Sequence, residues 1–469
     1  MQESAERLNH AGDYKVEEIT IVSAKGEVLD ISSFMLEVHL YEDVFSPHMT
    51  GKIVLADAIN LISSIPLLGD EFITLKFRTP TLEDIPSNVI EKSFQMYSID
   101  DRILNSDRSQ LYTISFISIE GYYDNTIPIS KTFRGTTDEI VEKIYDTYVK
   151  TDRRVDTPGV STDLIIGDSP HASRLTYTSN HWSPMKNLNF ISKRVRGSSL
   201  NGSDYLFFES NKNFYFTSLE TLINNQVNNS NTVFDEYVVE LDGMNIPRRN
   251  TDRAYYGNAF ENKMTRIEDL KMLKSLNVLE GQSNGYFANS VLGYDLITKK
   301  MSESTFDITD NAQTFIKTDV GAAIPTNVSR SPYANAEFVM FNSSVHNDYG
   351  KTDSNDLPEG HPAEFYTDRH MFRKSYINSF DQYRFEMTIP GRTDIEVGAI
   401  VDILHPNPAV VDSETKNIDT IIDPLLSGAY LITALHHKFD SNRHVITAEI
   451  VKNGLKATLG EKENDSTEF

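Results

Sequence analysis

Leu67-Leu68-Gly69-Asp70-Glu71-Phe72-Ile73-Thr74-Leu75-Lys76-Phe77 runs on to Pro80, and Ile395-Glu396-Val397-Gly398-Ala399-Ile400-Val401-Asp402-Ile403-Leu404 runs on to Pro406. Both stretches place a glycine ahead of a strand and a proline behind it. After an insertion, the first continues with a strand pattern from Phe94 to Leu104, the polar turn Asn105-Ser106-Asp107-Arg108, and a strand from Leu111 to Ile119. The second continues with a strand pattern from Ala429 to Phe439, the polar turn Asp440-Ser441-Asn442-Arg443, and a strand from Val445 to Val451. The order of elements is the same although few residues are identical. Two copies of one β-module in a single chain point to a scaffold built by repetition rather than to an active site.

Working outward, the strand signal is period-two alternation. Phe34, Leu36, Val38 and Leu40 face one way with Glu37 and His39 opposed, and Ile73, Leu75 and Phe77 alternate with Thr74, Lys76 and Arg78. This is how half-buried antiparallel strands read. Turn residues at Lys25-Gly26, Ser46-Pro47 and Leu68-Gly69-Asp70 separate short runs, which predicts a barrel or a sandwich. Near the other end, Tyr383, Phe385, Met387 and Ile389 alternate with Arg384, Glu386 and Thr388, predicting a central strand.

The period changes at Thr136. Thr136-Thr137-Asp138-Glu139 has the spacing of a capping box, and Ile140, Val141, Ile144, Tyr145 and Tyr148 follow at helical spacing. A second helix is signalled by Ser183-Pro184, a cap followed by proline in the first turn, with Met185, Leu188, Ile191 and Val195 on its buried face and Gly197 as its stop. Leu206-Phe207-Phe208-Glu209 and Phe214-Tyr215-Phe216 predict a hairpin closed by Asn211-Lys212-Asn213, and Trp182 is expected to staple onto the second helix. Residues 130–225 thus read as a small α+β unit. The amide-rich stretch 224–232 reads as a linker, strands resume at 236–241, and Ile267, Leu270, Leu273 and Leu276 predict a short helix over 266–279 ended by Gly281. Residues 302–369 turn polar and read as an insertion.

Composition narrows function. The 469 residues suit about three domains, and 39% hydrophobic with 24% charged residues suits a globular chain. Cysteine is absent, which removes disulfides, thiol catalysis and thiolate metal sites. No run approaches the roughly 18 apolar residues of a membrane span, so no membrane insertion is expected. The opening residues Met1 to Arg7 lack the basic head and apolar core of a signal peptide. With 44 Lys and Arg against 68 Asp and Glu, the net charge is −24. That disfavours adhesion to DNA or anionic lipid and suits a surface past which DNA slides.

The chemical motifs are missing. Neither phosphate-binding glycine patterns, nor G-x-S-x-G, nor H-E-x-x-H occurs. His436-His437 lie on one predicted strand and must point to opposite faces. His361, Glu364 and His370 fall in a predicted polar loop, and Asp353, Asp356 and Glu359 lack the spacing of a calcium loop. No catalytic residue, cofactor or metal site is expected.

The block Phe385-Glu386-Met387-Thr388-Ile389-Pro390-Gly391-Arg392-Thr393-Asp394-Ile395-Glu396-Val397-Gly398, then Asp423-Pro424-Leu425-Leu426-Ser427-Gly428-Ala429-Tyr430-Leu431-Ile432-Thr433-Ala434, closing with His437-Lys438-Phe439 and Glu449 to Leu455, resembles the baseplate central hub protein of contractile-tailed phages of the T-even type. The block from Asn180-His181-Trp182-Ser183-Pro184 to Phe216 is similar to that family's middle domain, and the strand pattern of residues 16–80 to its first barrel. The resemblance covers most of the chain in outline. It implies kinship with the base of secretion-system spike proteins and a mainly β chain of two similar antiparallel β-barrels plus a small α+β domain.

On that reading the chain divides into an arm (1–13), a first barrel (14–129), the α+β middle domain (130–232), a second barrel (233–301 and 370–456), an inserted polar region (302–369) and an acidic tail (457–469). The resemblance further implies a homotrimer whose six barrels form a pseudo-sixfold ring in the virion baseplate, assembled in the cytoplasm of a bacterial host. The ring would join a sixfold tail tube, or its initiator protein, to a threefold central spike, touch wedge proteins and let DNA pass without sequence-specific binding. Two alternatives stand beside it: a hexameric distal-tail or tube-capping protein, and a carbohydrate-binding or carbohydrate-hydrolysing spike component.

Overall fold

The computed structural model describes residues 10–23, 26–64, 69, 71–80, 89–106, 109–150, 163–168, 175–195, 197, 203–227, 235–239, 264–296, 299–311, 315–319, 331–341, 362–407 and 422–455. Strands dominate. The first module holds β1 (Lys15–Val22), β2 (Val28–Asp30), β3 (Met35–Asp43), β4 (Thr50–Asp57), β5 (Phe72–Arg78), β6 (Val89–Ser106) and β7 (Ser109–Ser118). The middle unit holds β8 (Thr132–Gly135), β9 (Leu164–Ile166), β10 (Leu175–Thr178), β11 (Tyr205–Glu209) and β12 (Phe214–Ser218). The remainder holds β13 (Asp235–Val239), β14 (Arg266–Ile267), β15 (Asp269–Ser275), β16 (Ala288–Asp295), β17 (Met301–Asp307), β18 (Ala336–Phe341), β19 (Tyr383–Pro390), β20 (Ile400–Leu404), β21 (Gly428–Asp440) and β22 (His444–Lys452).

The spatial order in the first module is β3-β4-β7-β6-β5-β1-β2, and in the second β15-β19-β22-β21-β20-β13-β14. Matched in chain order, the two are the same path. Each path also begins and ends on one continuous segment. Residues 28–43 pair with β1 at one end and β4 at the other, bending through the 3-10 turn Ser32–Phe34. Residues 266–275 pair with β13 and with β19, with Glu268 alone between β14 and β15.

The likeness extends to details. Both long strands carry a bulge at the matching place, between Met96 and Ser98 and between Ile432 and Ala434. Just before each bulge a backbone N–H donates across to the strand entry: Met96 to the Glu71 carbonyl at 3.0 Å and Ile432 to the Ala399 carbonyl at 2.9 Å. Gly69 and Gly398 both hold positive φ, +99° and +84°, the conformation that glycine adopts without steric penalty. One strand departs. β1 is antiparallel to β5 and β2, whereas β13 is parallel to β20 and β14.

Each module encloses its own core. Ile19, Ile53, Leu75, Phe94 and Phe116 fill the first, and Phe385, Met387, Tyr430, Leu431 and Ile450 the second. Burying each such side chain contributes about 1.5–3 kcal/mol, and β19, paired on both edges, is the interior strand its alternation predicts.

In the middle unit both helix starts form where their caps predict them. Thr136 and Glu139 make the reciprocal capping box at the head of the helix Thr137–Ile144, and Ser183 caps the helix Pro184–Ser192 with Pro184 in its first turn. Trp182 meets Phe190 edge-on at 5.0 Å. β11 and β12 form the predicted hairpin, and their buried aromatics join both helices in a third core. The second helix ends at Ser192, ahead of Gly197, and Val195 is buried beyond it.

Two expectations are corrected. Residues 266–275 are strand, and the helix there is only Val278–Ser283. Leu270-Lys271-Met272 also alternates, up to the bulge at Leu273, and the ladder to β19 decides between the two periods. Residues 302–369, read as a polar insertion, carry β18, nearly all of β17 and the first two turns of the helix Pro362–Phe380, and β17 and β18 flank β16 in a separate three-stranded sheet. Met371, Tyr376 and Phe380 of that helix continue the second module's core. Residues 10–13 of the expected arm lie on the second module, where the Gly12 carbonyl accepts from the His444 N–H at 2.8 Å.

Candidate assembly surface

The two modules meet by strand pairing. β21 runs antiparallel to β3, with Ala434 opposite Asp43, His436 opposite Tyr41, Lys438 opposite His39 and Asp440 opposite Glu37. β21 can do this because its first half pairs with β20, and past the bulge the same edge is free to take β3. The tip of the second module then enters the first. Phe439 is fully buried in the first module's core, stacked on Phe77 at 4.1 Å, while Tyr14 donates its hydroxyl to the Asp440 carbonyl at 2.7 Å.

Alternation splits the junction into two chemistries. On the inner side, His437 is fully buried, 3.5 Å from Glu42 and 3.1 Å from the His444 ring. On the outer side, His436 stacks on Tyr41 at 4.7 Å and shares a 2.8 Å hydrogen bond with His39. The two histidines do face opposite ways. Burial, with the charges of His39, His437 and Lys438, pulls the His436 imidazole down to about 4. Beside it, the Glu37 carboxyl is held below its usual range by its hydrogen bond to Lys438, an ion pair of 3.0 Å.

The β11–β12 turn wedges into this junction from the middle unit. Asn211 N–H donates to Glu42 of the first module at 3.2 Å, and Lys212 donates to the Asp394 carbonyl of the second at 2.9 Å. At the turn's base, Glu209 pairs with Lys92 at 2.5 Å and accepts from the Met49 N–H at 2.8 Å. The buried Glu120 stands nearby. Desolvation, then the Glu209 charge, raises its carboxyl to about 7 against the pull of Lys92. Three units are therefore locked at one hairpin.

Across β15-β19-β22-β21-β3-β4-β7-β6 the sheet is continuous. Glu386, Thr447, Glu449, His436, Tyr41 and Asp43 line a groove of about 360 Å³ on it. His370 lies in a helix rather than a loop and bonds Glu337 at 2.5 Å. Asp353, Asp356, Glu359 and His361 fall outside the described residues, as does the side chain of Glu364. No His, Cys, Asp or Glu cluster able to hold a metal occurs among the described residues, and no helix there is long and apolar enough to cross a membrane. The junction itself escaped sequence reading, since nothing local to Glu37 or Lys438 announces a partner some 400 residues away; the bulge at Thr433 is the only signal, and it shows only against its twin at Tyr97.

No family model matches the chain, and no curated protein sequence matches it. Among solved structures, a tail protein from Neisseria meningitidis MC58 superposes with a TM-score of 0.50 at 8% identity, covering 94% of this chain and 96% of that one. The 43 kDa tail protein of prophage MuSo2 from Shewanella oneidensis gives a TM-score of 0.48 at 9% identity, covering 93% and 98%. An E. coli component of the type VI secretion system, described as structurally similar to the T4 bacteriophage tail proteins gp27 and gp5, gives 0.39 at 8% identity, covering 94% and 76%. The chain has the fold of the Neisseria meningitidis tail protein over nearly its whole length.

Proposed function

We propose that this chain is a non-catalytic virion protein, the central hub of a phage tail baseplate. Each module rolls into a small barrel closed by its bent segment, residues 28–43 or 266–275. Three chains form a ring of six like units, which meets a sixfold tube on one side and a threefold spike on the other. The observation that carries this reading is the shared spatial order of the two modules, down to the matching bulges. The tail-protein fold agrees with it. The acidic balance of the chain, 68 carboxylates against 44 bases, fits a ring through which DNA travels without adhering.

Native mass spectrometry and electron microscopy of the purified full chain test this. The expected particle holds three chains and shows six similar lobes around its axis. Six chains per particle would replace the hub with a hexameric tube-capping protein, and a monomer at every concentration would reject a ring altogether.

A further inference from the structure

The junction inside the chain joins unlike parts of the two modules. β3 belongs to the first, and its counterpart in the second is β15. β21 belongs to the second, and its counterpart in the first is β6. The contact is therefore head-to-tail, and applying the same relation once more leaves two halves in search of partners. Both are open. β15 pairs with β19 on one edge and with no strand on the other among the described residues. β6 pairs with β5 only through Val89 to Gln95, so beyond its bulge one edge of Ser98 to Ser106 lacks a described partner, where β21 takes β3.

The side chains carry the same message. Matched through their partners on β7 and β22, past a further bulge in β6 between Asp100 and Ile103, Leu104 stands where Phe439 stands in the other module. Phe439 is fully buried in the neighbouring module's core, whereas Leu104 is 82% exposed and Ile103 beside it 61%. On β15, Met272 and Leu273 are 45% and 41% exposed. A long unpaired edge ending in bare apolar side chains is a hazard that a folded protein normally covers.

Resting on the ring reading above, we propose that the outer half of β6 in one copy pairs antiparallel with the free edge of β15 in a second copy of this chain, repeating between chains the β3–β21 junction. The register follows by transfer. His436 opposite Tyr41 becomes Asp100 opposite Lys274, Lys438 opposite His39 becomes Ile103 opposite Lys271, and Phe439 opposite Val38 becomes Leu104 opposite Leu270. Because the contact is heterologous, it does not end at a dimer, and it closes in the three-chain ring proposed above.

The absence of native cysteine makes the register directly measurable. The double variant Ile103→Cys, Lys271→Cys, oxidised under mild conditions, is expected to give disulfide-linked species of two and three chains. Either single variant alone is expected to give none at this contact, whereas mixing the two singles gives linked pairs. In parallel, Leu104→Asp, whose side chain is exposed in the single chain, is expected to leave the thermal midpoint of the monomer unchanged and to weaken assembly at least tenfold by sedimentation. A three-chain particle that neither cross-links at this pair nor responds to Leu104→Asp overturns the strand pairing while leaving the ring in place. A chain that stays monomeric and never cross-links overturns both.

Discussion

Lys92 and Glu209 form an ion pair across the boundary between the first module and the middle unit, 2.5 Å long, with side chains only 3% and 0% exposed. Breaking such a buried pair from one side leaves a charge without compensation, and here Glu120 adds a second carboxyl to the same place. Lys92→Met should therefore destabilise the protein by about 3–5 kcal/mol. Urea titration at pH 8 measures this. Adding Glu209→Gln should recover part of the loss, because residues in one network do not act additively.

Glu120 sets a pH dependence of its own. Its folded value of about 7 lies above the ordinary 4.5, so the native state holds that proton more tightly than the unfolded chain. The associated stability is complete below the unfolded value and is lost as pH rises through the folded one. Glu120→Gln should consequently gain stability at pH 8, on the order of 2 kcal/mol, and gain nothing at pH 4. Equal gains at both values would show that the site does not titrate.

His436 acts in the opposite sense. Its folded value of about 4 lies below 6.5, so its contribution is present above pH 6.5 and is lost as acid protonates it. Thermal midpoints of His436→Gln and the parent chain between pH 7 and pH 4 should converge as pH falls, with the variant showing the smaller drop. A parallel pair of curves would mean that the His39–His436 stack carries no acid sensitivity.

Gly51 lies in β4 where a Cβ would strike the Phe116 ring and stand 2.6 Å from the His39 carbonyl oxygen. Gly26 has positive φ of +81° but open space around it. Gly51→Ala must push apart three strands of the first module and should lose about 3 kcal/mol or more. Gly26→Ala should lose only the conformational penalty of about 1–2 kcal/mol. Calorimetric midpoints rank the two.

What the sequence made legible was local or repeated. Thr136 with Glu139 and Ser183 with Pro184 announce helix starts because a cap is a contact within four residues. The twin glycine–strand–proline scripts were readable because the same ladder forms twice. Decisions taken at long range were not. Residues 266–275 carry both periods, and only the partner strand β19 selects one. The helix Pro362–Phe380 has no clean apolar stripe: Ser375 and Ser379 are buried along with Met371, Tyr376 and Phe380, since sheet and core surround it on several sides. The junction of β3 with β21 spans some 400 residues and left only the matched bulges as a trace.

The inverted strand β13 is where the doubling is broken, for the six other strand positions of each module follow one plan. In a ring assembled as proposed, the surface around β4, β7, β19 and β22 would repeat every sixty degrees, while the rim at β1 and β13 would repeat only every hundred and twenty. One object would then carry two rulers. A tube docking on the first face need not distinguish the halves of the chain, and a spike docking on the second would find three marks by which to choose its orientation.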